Sequence, residues 1–273
     1  MEGEKKVNAL QTLKTYFGYD TFREGQESIV ESILEHRDVL AIMPTGAGKS
    51  ICYQIPALML KGITIVISPL ISLMQDQVKA LNEAGIHAAF INSSLTENQI
   101  SKALYLAAGG RYKIIYVAPE RLENYEFLEF ARHVEISMVT VDEAHCISQW
   151  GQDFRPSYLK IIEFVRNLPT RPIVSAFTAT ATEEVKNDIL CTLNLSNPEV
   201  VVTGFDRKNL YYSVENIRRK DEFVMEYIEK HPTESGIIYC ATRKNVDNLF
   251  ELLFKKGVSV TRYHAGLSNE NRK

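Results

Sequence analysis

A glycine loop between an apolar run and a helical pattern restricts this chain to few folds. Met43-Pro44-Thr45-Gly46-Ala47-Gly48-Lys49-Ser50 follows Asp38-Val39-Leu40-Ala41-Ile42 and precedes Ile51-Cys52-Tyr53-Gln54-Ile55-Pro56-Ala57-Leu58. That order reads as strand, loop, helix. Glycines let successive N–H groups curl round a phosphate, and the helix N-terminus adds a favourable dipole. In such a loop Lys49 reaches the outer phosphates and the Ser50 hydroxyl sits on Mg²⁺. The pattern G-x-x-x-x-G-K-[ST] fails at its first position, where Met43 stands.

The surrounding chain supplies a sheet for that loop. Continuous apolar runs such as Ile63-Thr64-Ile65-Val66-Ile67 and Lys113-Ile114-Ile115-Tyr116-Val117 alternate with helical patterns. Strands are expected at 38–43, 63–68, 86–91, 112–117, 136–141, 171–177 and 199–203. Helices are expected at 7–17, 24–36, 49–60, 70–84, 96–109, 124–133, 157–167 and 182–193. Such runs imply a parallel sheet covered on both faces, an α/β fold. Gly204-Phe205-Asp206-Arg207-Lys208-Asn209 breaks the pattern and reads as a linker. The domains are therefore 1–205 and 206–273. The second begins a new series: strands 210–215, 236–240 and 258–262, helices 220–230 and 243–256. It makes about half of an α/β domain, so an open strand edge and uncovered sheet faces are expected there.

Charge and cysteines exclude several classes. Net charge is −3, so bulk charge does not announce a nucleic-acid binder. Residues 206–273 nevertheless carry 13 Lys and Arg against 10 Asp and Glu, and the preceding part is acidic. That asymmetry permits DNA between the halves. Cys52, Cys146, Cys191 and Cys240 form no C-x-x-C pair, so zinc and a disulfide framework are not indicated. No apolar run reaches bilayer length and no signal region follows the N-terminus, so no membrane contact and a cytoplasmic location are expected.

Val139-Thr140-Val141-Asp142-Glu143-Ala144-His145 ends a buried strand with two adjacent carboxylates. Phosphoryl transfer needs a metal ligand, a base and a lysine. Asp142 and Ser50 suit the metal, Glu143 the attacking water, and Lys49 the phosphates. With this pair downstream of the glycine loop, the chain resembles superfamily 2 helicases, Asp-Glu-Ala-His standing as motif II. His145 joins the catalytic set on that resemblance.

Further stretches narrow the resemblance to the RecQ family of DNA helicases. Phe17-Gly18-Tyr19-Asp20-Thr21-Phe22-Arg23-Glu24-Gly25-Gln26 resembles its motif 0, which implies Tyr19 stacking on adenine, Arg23 supporting it and Gln26 reading its amino edge. Cys146-Ile147-Ser148-Gln149-Trp150-Gly151-Gln152-Asp153-Phe154-Arg155-Pro156 resembles its aromatic-rich loop. Trp150 and Phe154 can stack on unpaired bases at about 1–3 kcal/mol each, with Arg155 adding phosphate or cation–π contact. Ser68-Pro69-Leu70-Ile71-Ser72-Leu73-Met74-Gln75-Asp76-Gln77 resembles motif Ia and Ala118-Pro119-Glu120-Arg121-Leu122 motif Ib. Both are read as helix starts after strands, placing Ser68 and Arg121 on DNA phosphates. Phe177-Thr178-Ala179-Thr180-Ala181 matches motif III, with Thr178 and Thr180 bridging the nucleotide and DNA sites. Gly236-Ile237-Ile238-Tyr239-Cys240-Ala241-Thr242-Arg243 resembles motif IV and adds Arg243 to the DNA set. Lys208 departs from the proline usual in that linker.

The resemblance implies two RecA-like lobes, the second partial and ending before motifs V and VI. It implies ATP and Mg²⁺ as cofactors, single-stranded and partly duplex DNA as partner, and ATP-driven 3′→5′ unwinding in recombination and repair. The alternative expectation is an ATP- and DNA-binding module with little turnover, because motif VI supplies an arginine worth roughly 10³–10⁵ in rate. A DEAD-box-type RNA helicase fits less well with His145, Thr178-Ala179-Thr180 and the Trp150 loop.

Overall fold

A computed structural model describes residues 2–204 and 210–268. The chain divides into two compact units, Met1–Asp206 and Arg207–Lys273. The linker read at 204–209 lies, apart from Gly204, outside the described residues, and Lys208 with it.

The first unit is a seven-stranded sheet. Its strands are β1 (Val39–Ile42), β2 (Ile63–Ile67), β3 (Ala88–Ile91), β4 (Ile114–Val117), β5 (Ile136–Val141), β6 (Ile173–Thr178) and β7 (Glu199–Val202). All pairs are parallel, in the order β3-β4-β2-β5-β6-β1-β7. Helices α1 (Glu2–Phe17), α2 (Gln26–Leu34), α3 (Lys49–Met59), α4 (Ile71–Glu83), α5 (Glu97–Ala108), α6 (Tyr125–His133), α7 (Ile161–Arg166) and α8 (Glu183–Thr192) cover it.

The inner strands β1, β2, β4 and β6 are buried along their whole length, so apolar side chains occupy both faces. Successive side chains enter opposite layers. Leu40, Ile42, Ile65, Ile67, Ile115 and Val117 pack with α5 to α8, whereas Val39, Ala41, Val66, Ile114 and Tyr116 pack with α1 to α4. Edge strand β7 instead alternates between half-buried and exposed residues.

Register matters for function. Ile42 pairs with Thr178, Val141 with Ala176, and Ile67 with both Val117 and Val141. The carboxyl ends of β1, β2, β4, β5 and β6 therefore finish level, and the loops after them share one rim. Ligands of open α/β sheets bind at such a rim.

Two sequence expectations need correction in this unit. The expected helix 157–167 is split into a 3₁₀ turn, Pro156–Lys160, and the short α7. The stretch after β4 forms only the 3₁₀ turn Pro119–Arg121, and α6 begins later under an Asn124 cap. Pro119 fixes a turn start but lacks the run of helix formers needed to propagate it.

The second unit contains α9 (Lys220–Lys230) and α10 (Arg243–Lys255). The strands expected at 210–215, 236–240 and 258–262 do not form among the described residues. β-Propensity alone does not make a strand; a ladder partner does. Val214, Ile237 and Tyr239 stand highly exposed, and Leu253 is the one buried apolar residue described in this unit. No helix among the described residues is long and apolar enough to cross a membrane.

Candidate active site

The glycine loop leaves β1 at Met43 and enters α3 at Lys49. Gly46 and Gly48 have φ of 86° and 82°, in the left-handed region that glycine tolerates. A Cβ at Gly48 would lie 2.5 Å from Gln26 Nε2, so the Gln26 amide would have to shift off the loop.

The segment before α2 clamps the loop from behind. Arg23 Nη1 donates to Gly46 O at 2.7 Å, and Gln26 Nε2 donates to Ala47 O at 3.0 Å and Gly48 O at 3.1 Å. Gln26 Oε1 accepts from Arg23 N at 2.9 Å. In a planar trans peptide the C=O and the following N–H are antiparallel. Bonding three successive carbonyls outward therefore turns the following N–H groups away from the clamp; Ala47 N–H donates to Pro44 O at 3.1 Å, and those of Gly48 and Lys49 take the orientation a phosphate cradle needs. Gln26, expected to read adenine, is buried with its amide committed to the loop. Tyr19 is half exposed, and Arg23 and Thr45 are exposed. Lys49 Nζ donates to Met43 O at 3.1 Å, at the loop entrance.

The second wall is the end of β5. Asp142 N continues the ladder to Ile67 O, and Asp142 Oδ1 accepts from Glu143 N at 3.0 Å. Ser68 Oγ donates to Asp142 Oδ2 at 3.3 Å. Burial, then the neighbouring Glu143 charge, pushes the Asp142 carboxyl up to about 6, although Glu143 N–H, Lys49 and Ser68 pull the other way. Asp142, buried beside Glu143 and within the field of Lys49, is the carboxylate at this rim that could hold a divalent cation, and Ser50 at the start of α3 offers a hydroxyl. No group of three or more His, Cys, Asp or Glu suited to a metal occurs among the described residues.

The shifted carboxyl has a stability consequence. The charged form is penalised in the fold above about pH 6, and the penalty vanishes below the unfolded value of 3.8. Asp142→Asn is therefore expected to raise the urea midpoint of the metal-free protein at pH 7.5, by an energy on the order of 2–3 kcal/mol. That advantage should disappear near pH 4. A variant no more stable than wild type at pH 7.5 would remove the burial argument.

Glu143 occupies the left-handed region, φ 49° and ψ 47°. For a residue with a Cβ this costs about 1–2 kcal/mol. Strain of that kind clusters at functional sites. His145 Nδ1 lies 2.9 Å from Thr178 Oγ1 and 3.4 Å from Glu143 Oε2. Thr178 Oγ1 in turn donates to Thr180 O at 3.1 Å. Glu143, His145, Thr178 and Thr180 are thus one contiguous chain across the ends of β5 and β6.

A cleft of about 360 Å³ is lined by Thr45, Glu143, His145, Asp153 and Thr180. A second, of about 330 Å³, is lined by His145, Trp150, Thr180 and Val185. Trp150 is 79% exposed, and Phe154 and Arg155 are partly buried. Arg155 pairs with Asp153 at 2.7 Å and donates to Pro69 O at 3.2 Å, joining the aromatic loop to the stretch before α4. Ser68 and Thr178, expected on the DNA side, are buried, their hydroxyls engaged inside the protein. Thr180 and Trp150 face outward. Thr182 caps α8, its Oγ1 accepting from Val185 N. Arg121 is half-buried at its 3₁₀ turn. Arg243 is the first residue of α10, which Thr242 caps, in the second unit.

Three supporting residues gave no sequence signal. Tyr158, fully buried, donates to Asp142 O at 2.8 Å. Asp188 on α8 accepts from Ser148 Oγ at 2.6 Å, and that same oxygen accepts from Trp150 N at 3.1 Å. Tyr53, buried on α3, places its hydroxyl 3.2 Å from Tyr116 Oη on β4. None belongs to a motif string, because each acts through a partner distant in sequence.

Comparison with known proteins agrees with this geometry. Residues 23–188 match the family model of the DEAD/DEAH box helicase. The chain is 50% identical over 266 residues to the ATP-dependent DNA helicase RecQ of Bacillus subtilis, covering 97% of this chain and 45% of that protein. It is 43% identical over 268 residues to the RecQ of Haemophilus influenzae, covering 98% and 43%. The chain thus spans under half the length of these relatives. In fold it is similar to the DUF1998 helicase MrfA bound to DNA, with TM-score 0.72, 16% identity, and 97% and 41% of the two chains covered. A hypothetical ATP-dependent RNA helicase from Sulfolobus tokodaii gives TM-score 0.57 at 20% identity, covering 91% and 72%. The RecQ-like motifs lie on a RecA-like sheet whose rim gathers the loop, the carboxylate pair and the His145–Thr178 bridge, and the chain belongs to the DEAD/DEAH box helicase family.

Proposed function

We propose that this chain is the ATP-hydrolysing core of a RecQ-type DNA helicase, coupling ATP hydrolysis to 3′→5′ movement on single-stranded DNA. The observation that carries the coupling is the run of contacts from Glu143, 3.4 Å from His145 Nδ1, through the His145–Thr178 and Thr178–Thr180 hydrogen bonds, which shares one cleft with Trp150. DNA as substrate, the polarity and a role in recombination and repair rest on likeness to RecQ proteins.

Each residue has a task. The inward N–H groups of the loop and Lys49 bind the phosphates. Ser50 and Asp142 hold Mg²⁺, which supplies neutralisation of the phosphate charge. Glu143 orients the attacking water and accepts its proton, and its left-handed backbone aims the carboxylate. Tyr19 offers a half-exposed ring to the base. Arg23 and Gln26 keep the loop in its binding conformation. Trp150, Phe154 and Arg155 take single-stranded DNA, with Arg121 and Arg243 as further phosphate contacts.

The test is steady-state ATP hydrolysis with and without single-stranded DNA, with Lys49→Ala as the blank. Trp150→Ala should leave the basal rate unchanged and lose most of the DNA stimulation. Stimulation that survives makes the loop structural. DNA-independent turnover at the level of the blank, with nucleotide still bound, favours a binding module. Single-stranded RNA competing better than DNA would remove the RecQ-type reading.

A further inference from the structure

Trp150 stands at the tip of the aromatic loop with its ring largely exposed, so packing holds little of it. Hydrogen bonds beneath it set its direction. The loop leaves the 3₁₀ turn Ala144–Ile147 at Ser148, whose N–H donates to His145 O at 3.2 Å. Gly151 N donates back to Ser148 O at 3.0 Å, which closes a tight turn with Trp150 inside it. A Cβ at Gly151 would overlap the carbonyl oxygen of His145, so the turn lies directly on motif II. The buried Ser148 side chain completes the arrangement. Its Oγ accepts from Trp150 N at 3.1 Å and donates to Asp188 Oδ2 on α8 at 2.6 Å.

A serine hydroxyl has one hydrogen. Asp188 takes it, so the Ser148 oxygen presents a lone pair to Trp150 N. A hydroxyl bond of this length to a carboxylate is of the strong, charge-assisted kind, and it holds Ser148 in one rotamer. Helix propensity does not account for Asp188. It sits in the middle of α8, where aspartate is a weaker helix former than alanine. One turn earlier on the same helix, Val185 lines the cleft that Trp150 shares with His145 and Thr180. Helix α8 therefore carries both a wall of that cleft and the anchor of the loop beside it.

We propose that Asp188 is a positioning residue for DNA binding, which through Ser148 holds Trp150 in the orientation that takes an unpaired base. The inference rests on the reading above that Trp150 contacts single-stranded DNA. An unlatched loop spreads over several orientations, and apparent affinity falls with the fraction that is competent. Bound DNA selects the competent orientation, so at saturation the unlatched loop couples as the latched one does. Loss of Asp188 therefore changes the DNA concentration that is needed and not the rate that is reached.

The full chain contains one tryptophan, so its intrinsic fluorescence reports Trp150 alone. The experiment titrates ATP hydrolysis with oligothymidylate and measures the steady-state anisotropy of that tryptophan without DNA. Asp188→Ala should lower the anisotropy and raise the half-saturating DNA concentration about tenfold, the size of one lost hydrogen bond to a charged group. Its basal and saturated rates should stay at wild type. Asp188→Asn keeps a carbonyl oxygen for the Ser148 hydroxyl and should remain within about threefold of wild type. On a Ser148→Ala background, Asp188→Ala should have no further effect. Asp188→Ala with unchanged anisotropy, or with unchanged half-saturation while Trp150→Ala loses stimulation, overturns the inference alone. A fall in the saturated rate of Asp188→Ala also overturns it, since that marks a structural fault at the rim. A wild type that DNA does not stimulate, or a Trp150→Ala stimulated like wild type, removes the loop reading and the inference together.

Discussion

Glu143→Gln is expected to bind nucleotide about as tightly as wild type and to lose turnover by roughly 10²–10⁴-fold, the usual contribution of a general base. The substitution keeps side-chain length and volume, so Tyr158, Ser68 and Asp142 keep their contacts. It keeps the left-handed backbone at 143 and its strain. What changes is the carboxylate that accepts the proton of the attacking water, together with the charge 3.4 Å from His145 Nδ1. Because that pairing links motif II to Thr178, DNA stimulation of any residual rate should fall as well. Single-turnover hydrolysis beside nucleotide binding separates the two effects. Turnover within tenfold of wild type would deny Glu143 the base role, and a loss of binding of the same size would make it a structural residue.

The sequence made the sheet and the rim of the site readable, and the reasons differ by element. All seven strands of the first unit form within two residues of their expected limits, because buried parallel strands read as unbroken apolar runs. The loop and the carboxylate pair were legible because phosphate chemistry demands particular residues at strand ends. Side-chain direction was not legible. Ser68 and Thr178 carry hydroxyls suited to DNA, yet the register of β2, β5 and β6 turns them inward to Asp142 and His145. Gln26 has an amide suited to a base, yet it faces three carbonyls and amides of its own chain. Pairings such as Ser148 with Asp188 span 40 positions and follow from topology alone. In the second unit the apolar patterns at 236–240 and 258–262 predicted strands, and pattern cannot say whether a ladder partner is present.

Asp38→Ala is expected to be the most damaging single substitution away from the rim. Asp38 stands at the entry to β1 and is nearly fully buried. Its carboxylate accepts four bonds: from Arg171 Nη1 at 3.1 Å and Nη2 at 2.5 Å, from Val174 N at 2.9 Å and from Ser196 N at 2.7 Å. Its carbonyl accepts from Glu199 N at 2.9 Å. One residue therefore ties the entries of β6, β1 and β7 together. Alanine leaves two backbone N–H groups and a guanidinium without their acceptor. The orphaned buried Val174 N–H costs about 1–3 kcal/mol, and the exposed Arg171 and Ser196 lose a partner that water replaces only in part. Against a total stability of about 5–15 kcal/mol for a typical domain, that is a large share. For a unit of this size it corresponds to a fall in Tm of about 10 °C. Asp38→Asn should also destabilise, since its amide group turns donors toward the donors of Ser196 or Arg171. Arg171→Leu should cost less, because Arg171 is 44% exposed and both backbone N–H groups keep Asp38 as acceptor. Hydrogen exchange at the Val174 and Ser196 amides gives the local readout beside the melting temperature. Asp38→Ala with unchanged exchange at both amides would show that the carboxylate does not join the strand entries. The glycine loop hangs from the far end of β1, so nucleotide binding in the folded fraction should survive a substitution that affects only this lower end.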